Sequence, residues 1–418
     1  MRAKATGALL FAAVVFQHFE LFQLSSFRVT VGFLVGSCVL LVASKRIPLV
    51  RLSVTWAVLI GLSALAALLA PAFADPANYF STLGLLLVTS GFIVLASAGL
   101  RTELVNAAEF WSWIRASLIV VVGLSVGQVI TGALGSDRLF NIFGEFQFQN
   151  QYMPYLEFVT VPRAQGFFLE PSYNAFVIAS LATALLCTGK AVRLTIVLAL
   201  SGLAAAQSAT GLLVFLAIVA LIGIRSRPRT AVPIAVAALA LVGVLGGSLI
   251  DRLASITDTG SSANYRLLAP LEVVADVLQS YPFGLPLGSI YDVVRTYGLT
   301  MFGVQETASL DNGIYVVIYY FGWLGLVAVL AMAAWAIANA LRPLKGVNSG
   351  YEWVVPAWLL GSLIFSGGIV APEFGIMTWI VVVAYVGAVE RRRASGHGSE
   401  VGAEPERDHR HLSRSRGS

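Results

Sequence analysis

Apolar stretches about as long as a bilayer is thick recur from one end of this chain to the other, and a soluble fold cannot bury that many of them. A helix needs roughly 20 such residues to cross the hydrocarbon layer. Runs of this kind lie near 7–24, 27–43, 52–71, 79–100, 116–134 and 173–188, and again near 194–207, 210–224, 231–250, 313–340, 353–370 and 374–389. The side-chain balance agrees. Only 12% of residues are charged and 57% are apolar, against about 25% and roughly 45–50% in ordinary globular chains. Two cysteines in 418 residues exclude a disulfide framework. Cys38 and Cys187 fall inside apolar runs and are expected to be core residues. The first run follows Arg2 and Lys4 as a signal peptide would. It lacks a small-residue cleavage site and is interrupted by Gln17, His18 and Glu20, so it is expected to remain as an uncleaved first span.

Charge parity decides how the longest runs divide. Lys190 and Arg193 precede the stretch from Leu194 to Ile224, and Arg225, Arg227 and Arg229 follow it. Both clusters belong in the cytoplasm by the positive-inside rule, so the chain crosses twice and turns near Gln207–Gly211. The same reasoning divides 353–389 at Gly367–Glu373, because Arg391, Arg392 and Arg393 follow. The expected fold class is therefore an all-α, polytopic membrane helix bundle of about 12 spans with both termini cytoplasmic. Residues 1–390 form the transmembrane domain, and the polar tail 391–418 is expected to be disordered in the cytoplasm. Of the 27 Lys and Arg, only Arg28, Arg138, Arg163, Arg252, Arg266 and Arg295 remain outside. The formal charge of +5 is then a topology signal, and no nucleic-acid partner is expected. Residues 101–115 carry Trp111 and Trp113 between charges and are expected to form a short helix in the inner interface.

Two outer loops are long, about 135–172 and about 251–312, and long loops in compact domains are usually functional or disordered. The first is crowded with aromatics (Phe140, Phe143, Phe146, Phe148, Tyr152, Tyr155, Phe158). These rings form either a belt at headgroup depth or a stacking surface for sugars. The second is expected to hold an amphipathic helix near 264–279, a Pro/Gly turn from Tyr281 to Gly288, and a short helix near 289–297. Function is expected on the outer face.

Few residues there carry chemistry. Val161 to Asn174 closes the first loop and places Arg163 and Glu170 beside Pro171, which is suited to start a helix. The two charges are either a simple interfacial ion pair or part of a site. Asp311 stands where the apolar run from 313 begins. It is read both as a helix N-cap and as a partly desolvated general base, and the two roles are compatible. All six outer cations are arginines, whose forked guanidinium matches phosphate oxygens in pairs, whereas Lys4, Lys45, Lys190 and Lys345 are all inside. His18 and Glu20 are the ionisable pair within an apolar run, which makes them functional candidates by default, although they lie near the outer end of that run. His409 and His411 have no metal-ligand geometry, and neither a metal site, a P-loop nor a dinucleotide motif is present, so no cofactor is expected.

Three features over about 160 residues resemble the O-antigen polymerase and O-antigen ligase superfamily, integral membrane enzymes of bacterial polysaccharide assembly. The first is R-x-x-G-F-F-x-E-P-S-x-N from Arg163 to Asn174. The second is Arg266 early in the large loop, followed by the turn residues Pro282, Gly284 and Gly288. The third is D-N-G-I-Y from Asp311 to Tyr315, running into Tyr320-Phe-Gly-Trp-Leu-Gly325. The resemblance implies metal-independent, inverting glycosyl transfer on the periplasmic or exterior side of the bacterial cytoplasmic membrane. The donor would be an undecaprenyl-pyrophosphate-linked glycan and the acceptor a second glycan, with the lipid bilayer and other polysaccharide-assembly proteins as partners. Arg163 and Arg266 match the family's arginines and would bind the pyrophosphate, an electrostatic task. The ligase branch has a His just before the Asn of the third feature, where this chain has Asp311. That departure weakens a ligase assignment and makes Asp311 the first candidate base, with Glu170 second. E-P-S also leans toward exopolysaccharide or capsule polymerases.

The main rival is a 12-span transporter or lipid-linked oligosaccharide flippase. Against it, the cytoplasmic loop Ser44–Arg51 lacks the facilitator signature and the midplane is nearly free of charge. A non-enzymatic membrane scaffold is the third reading, opposed by the clustering of outer Arg and acids.

Overall fold

The computed structural model describes residues 2–24, 27–44, 49–97, 108–136, 138–140, 163–208, 211, 215–216, 255–259, 261–292, 296–299, 310–341, 354–365 and 367–400. The first half contributes α1 (Arg2–Val15), a hairpin of β1 (Glu20–Leu24) and β2 (Phe27–Thr30), then α2 (Val31–Ser44), α3 (Leu49–Leu69), α4 (Pro76–Ser97) and α5 (Ala108–Ala133). The second half contributes α6 (Pro171–Thr188), α7 (Val192–Ala206), α8 (Ser262–Leu267), α9 (Ala269–Ser280), α10 (Gly313–Leu341), α11 (Val354–Phe365) and α12 (Pro372–Glu400). The expected spans at 210–224 and 231–250 lie almost wholly outside the described residues, as do most of the first-loop aromatics.

Five described helices are long and apolar enough to cross a membrane: Leu49–Leu69, Pro76–Ala96, Ala108–Ala133, Pro171–Thr188 and Gly313–Trp335. The bundle is built around α6. Apart from Tyr173, every residue from Pro171 to Cys187 is buried, and the helix packs on α5, α7, α11 and α12. A helix that is apolar on every side belongs in a core. Its centre is tied by rings: Phe176, Trp358 of α11 and Phe374 of α12 stack with centroids 6.1–6.3 Å apart. The Trp358 indole N–H donates to Ser180 Oγ at 3.1 Å. By contrast α3 buries only Leu52, Ser63 and Ala66 and forms the rim.

Several expectations need correction. The fold is not purely α, because the end of the first expected span and the start of the second form an antiparallel hairpin. Helix α1 stops at Val15, after 14 residues, about 21 Å of rise. Polar Gln17 and His18 follow, and the aromatic and β-branched Phe27–Thr30 segment favours a strand. Val31 N–H bonds Phe19 C=O at 2.9 Å and Gly32 N–H bonds Gln17 C=O at 3.1 Å, which closes the hairpin under α2. The interface helix expected over 101–115 is not a separate element from Ala108 onward, since nothing there breaks α5 and Trp111 is buried within it. Cys187 is buried as expected, but Cys38 lies on the exposed side of α2. The last helix continues past Glu390 to Glu400, and residues 401–418 lie outside the described residues. The breaks expected within the two longest runs coincide with helix ends, at Gln207 (φ 46°, ψ 40°) and between Phe365 and Pro372.

The run from 313 to 340 is helical but not straight. Gly322 has φ 55° and ψ −132°, a conformation reserved for glycine. A Cβ on Gly325 would lie 2.3 Å from the carbonyl oxygen of Val317, whereas residues eight apart in a straight helix are separated by about 12 Å of rise. The chain therefore folds back sharply on itself. The break frees backbone groups that a membrane interior cannot leave unpaired, and the turn from Tyr281 to Gly288 supplies their partners. Trp323 N–H donates to Pro282 C=O at 3.0 Å and Leu285 N–H to Tyr319 C=O at 2.9 Å. The Pro/Gly turn expected from the sequence is thus the plug of a broken helix.

Candidate functional site

The segment from Arg163 to Glu170 enters the bundle with its backbone held at several points. Ala164 N–H donates to Ala205 C=O at 2.9 Å, which fixes the segment to the end of α7. Gly166 (φ +62°) is clasped from both sides by one amide. Its N–H donates to Gln128 Oε1 at 2.9 Å, and its C=O accepts from Gln128 Nε2 at 3.0 Å. Asn174, buried in α6, donates through Nδ2 to Ser125 Oγ at 2.8 Å and to Ala164 C=O at 3.1 Å. Leu169 N–H donates to His18 Nδ1 at 3.2 Å. The motif is therefore a folded strap whose last residue, Glu170, is the N-cap of α6 with extended backbone (φ −154°, ψ 162°). The Glu170 carboxylate makes no capping bond; Ser172 Oγ donates to it instead.

Glu170 meets the second loop there. Arg266, in the last turn of α8, reaches Glu170 Oε1 with Nη2 at 3.5 Å and Asp311 Oδ2 with the same nitrogen at 3.4 Å. One guanidinium nitrogen thus bridges two carboxylates that are 141 sequence positions apart by number (311 against 170). Arg266 Nε is buried and has no acceptor among the described residues. The surrounding frame is tight. Tyr315 OH donates to Leu267 C=O at 2.7 Å, Asn312 Nδ2 to Arg266 C=O at 3.3 Å, and a Cβ on Gly367 would overlap the carbonyl of Leu310. The α11–α12 turn therefore backs directly onto Asp311.

The electrostatics follow from this crowding. Burial pushes the Glu170 carboxyl above its ordinary 4.5, opposed by Arg266, raised further by Asp311, and opposed again by Ser172 and Arg163. Arg266 is held cationic: burial works against its charge, but Asp311 and Glu170 outweigh it. The Tyr265 phenol is pushed up by burial and by Asp311, so it stays protonated beside the acids.

Of the four sequence candidates, Glu170, Arg266 and Asp311 come together, and Arg163 adds its positive charge to the same carboxylate. One expectation fails. Asp311 is not the N-cap of the following helix. Asn312 is: its Oδ1 accepts from Ile314 N–H at 3.0 Å and its C=O from Val316 N–H at 3.1 Å. The one-residue shift leaves the Asp311 carboxylate turned to Arg266. Replacing Asn312 by Ala is accordingly expected to cost about 1–2 kcal/mol, read as a lower melting temperature of the purified protein. Of the ionisable residues at the end of the first apolar run, His18 accepts from Leu169 N–H, while Glu20 meets Arg28 across the hairpin at 3.9 Å.

Gln128, Ser125 and His18 were not assigned to the site from sequence. Their one legible signal was polarity: each interrupts an apolar run. The sequence model of the family described as "WcaD colanic acid polymerase" matches residues 6–386. A protein of Escherichia coli (strain K12) described as "Putative colanic acid polymerase" is 24% identical over 284 residues, covering 64% of this chain and 68% of that protein.

Proposed function

The chain belongs to the WcaD colanic acid polymerase family, and from that membership we propose that it polymerises lipid-linked oligosaccharide repeat units at the outer face of the cytoplasmic membrane. The observation that carries the reading is the Glu170–Arg266–Asp311 cluster, which joins the two long loops at one point. A cation shared by two acids, whose buried Nε has no acceptor among the described residues, suits a ligand that brings its own negative charge. An undecaprenyl-pyrophosphate-linked glycan is such a ligand. Arg266 Nε–H and the Arg163 guanidinium hold the phosphate oxygens, and Asp311 keeps the Arg266 fork in place.

The chemistry assigned to the site balances with these groups alone. Glu170 takes the proton of the acceptor sugar hydroxyl as that oxygen attacks the anomeric carbon of the donor. The bond from the anomeric carbon to the pyrophosphate oxygen breaks, and the electron pair leaves with the lipid pyrophosphate, whose charge the two arginines neutralise. Attack opposite the leaving group inverts the anomeric centre. The relation of the two acids is thereby reversed from the sequence reading: Glu170 is the base, since burial raises its proton affinity toward the working pH, and Asp311 is the positioning partner of Arg266.

The direct test is reconstitution of the purified protein with lipid-linked repeat units. Longer chains and released undecaprenyl pyrophosphate are expected. Movement of units across the bilayer without elongation would replace this reading by a flippase. A pH profile tests the base. Because its carboxyl lies above 4.5 in the folded protein, Glu170 is protonated and idle at low pH and becomes competent as pH rises through the raised value. The wild-type kcat/KM is expected to have an acid limb displaced above the ordinary carboxylate range. Glu170→Gln should lose about 10²–10⁴-fold in rate and that limb with it. An unchanged limb in the variant would move the base elsewhere.

A further inference from the structure

We propose that His18 is a positioning residue of this site, fixing the reach of the Glu170 carboxylate by accepting the Leu169 N–H; the inference rests on the polymerase reading for its activity arm. His18 is 2% exposed and lies beyond the end of α1, 151 residues from its partner. Its Nδ1 accepts from an N–H, so the proton of the neutral ring is on Nε2. The ring is set edge-on against Phe168 at 5.9 Å and Tyr173 at 5.2 Å, the residues that flank Leu169–Ser172 on either side. Phe16 and Phe19 of the same turn pack on Phe167.

Among the described residues, few other bonds hold the backbone of the strap at this point. Phe168 N–H bonds within the segment to Gln165 C=O, and Pro171 has no N–H to give. The Gln128 and Asn174 clamps act further upstream, on Gly166 and Ala164. Leu169 is therefore the last backbone group before Glu170 that a distant element holds, and His18 holds it. Loss of the acceptor leaves that partly buried N–H without its partner and lets the strap shift, which displaces a base whose geometry matters at the level of about 1 Å. Arg163 lies beyond the Ala164 and Gly166 clamps, and Arg266 keeps its pairing with Asp311, so donor binding is expected to be retained.

The test uses two substitutions that place an acceptor differently. The Oδ1 of Asn lies two bonds beyond Cβ, as Nδ1 does in His, whereas the Oε1 of Gln lies one bond further out. In the full-length reconstituted protein, with lipid-linked repeat units extracted from cells lacking the polymerase, His18→Gln is expected to lower kcat about tenfold or more with the donor KM unchanged. His18→Asn is expected to stay within about threefold of wild type. Amide hydrogen exchange at Leu169 should accelerate in the Gln variant and remain slow in the Asn variant. Equal loss in both variants, with Leu169 equally protected in each, would reduce His18 to a packing ring and overturn the inference. The exchange measurement needs no turnover, so it decides the His18 contact even if the unsubstituted protein elongates nothing, a result that would count against the polymerase reading itself.

Discussion

Arg266→Ala is expected to abolish polymer, with a loss of at least about 10³-fold in elongation rate. The variant removes two things together: the donor proposed for the leaving pyrophosphate, worth about 10²–10³-fold where charge develops, and the cation that separates Glu170 from Asp311. Without it, two partly buried carboxylates face each other, and removing one partner of such a cluster costs on the order of 3–5 kcal/mol when buried. Part of that cost is recoverable. Arg266→Ala combined with Glu170→Gln leaves one charge where there were two, and should regain stability without regaining activity. Arg266→Lys should retain the ion pairs but lose the fork, giving an intermediate rate. Polymer length on a gel and the melting temperature of the purified protein read the two effects separately. Normal polymer from Arg266→Ala would remove this residue from the leaving-group site.

The second large effect is structural. Gly322→Ala is expected to destabilise the fold by on the order of 4 kcal/mol. An alanine forced to φ 55°, ψ −132° is strained by about 1–3 kcal/mol, and its Cβ would lie 2.2 Å from the carbonyl oxygen of Pro282. Neither side yields easily, because the Pro282 carbonyl is already bonded to Trp323 N–H. Gly284 is the reciprocal case (φ +87°), with a Cβ position 2.4 Å from the backbone of Tyr320. The two glycines face each other across one contact, so the double alanine variant should cost less than the sum of the singles. Gly61→Ala is the control, since nothing lies within 4 Å of its Cβ position. A melting profile of Gly322→Ala like that of wild type would mean that α10 straightens without harm.

These positions also explain what the sequence can and cannot convey. Helices reveal themselves through apolar runs, and the breaks at Gln207 and between Phe365 and Pro372 follow from charge parity. Hydropathy does not report direction within a run. Gly322 sits in a stretch as apolar as any other, and only its contact with Pro282, forty residues earlier in number, requires the bend. The hairpin at 20–30 was hidden for a similar reason: Phe, Val and Leu satisfy both a span and a strand, and pairing rather than composition decided. Glu170, Arg266 and Asp311 were legible because charge is scarce on an apolar chain. The capping role was misassigned by one residue because Asp and Asn are near-equal caps, and only the hydrogen bonds of Asn312 separate them. His18 stood out by polarity, but its partner is a backbone N–H, which no side-chain pattern encodes.

The Gly367 contact has a bearing on biosynthesis. The α11–α12 turn presses on the backbone of Leu310 and Asp311, and α12 packs along α4 and α6. A nascent chain emerging from its N-terminus therefore exposes Glu170, Arg266 and Asp311 well before the turn that seats Asp311 has been made. The cluster is completed only when the C-terminal helices arrive. Under the proposed function, a polypeptide cut before α11 is expected to lack the backing of Asp311 and to elongate nothing.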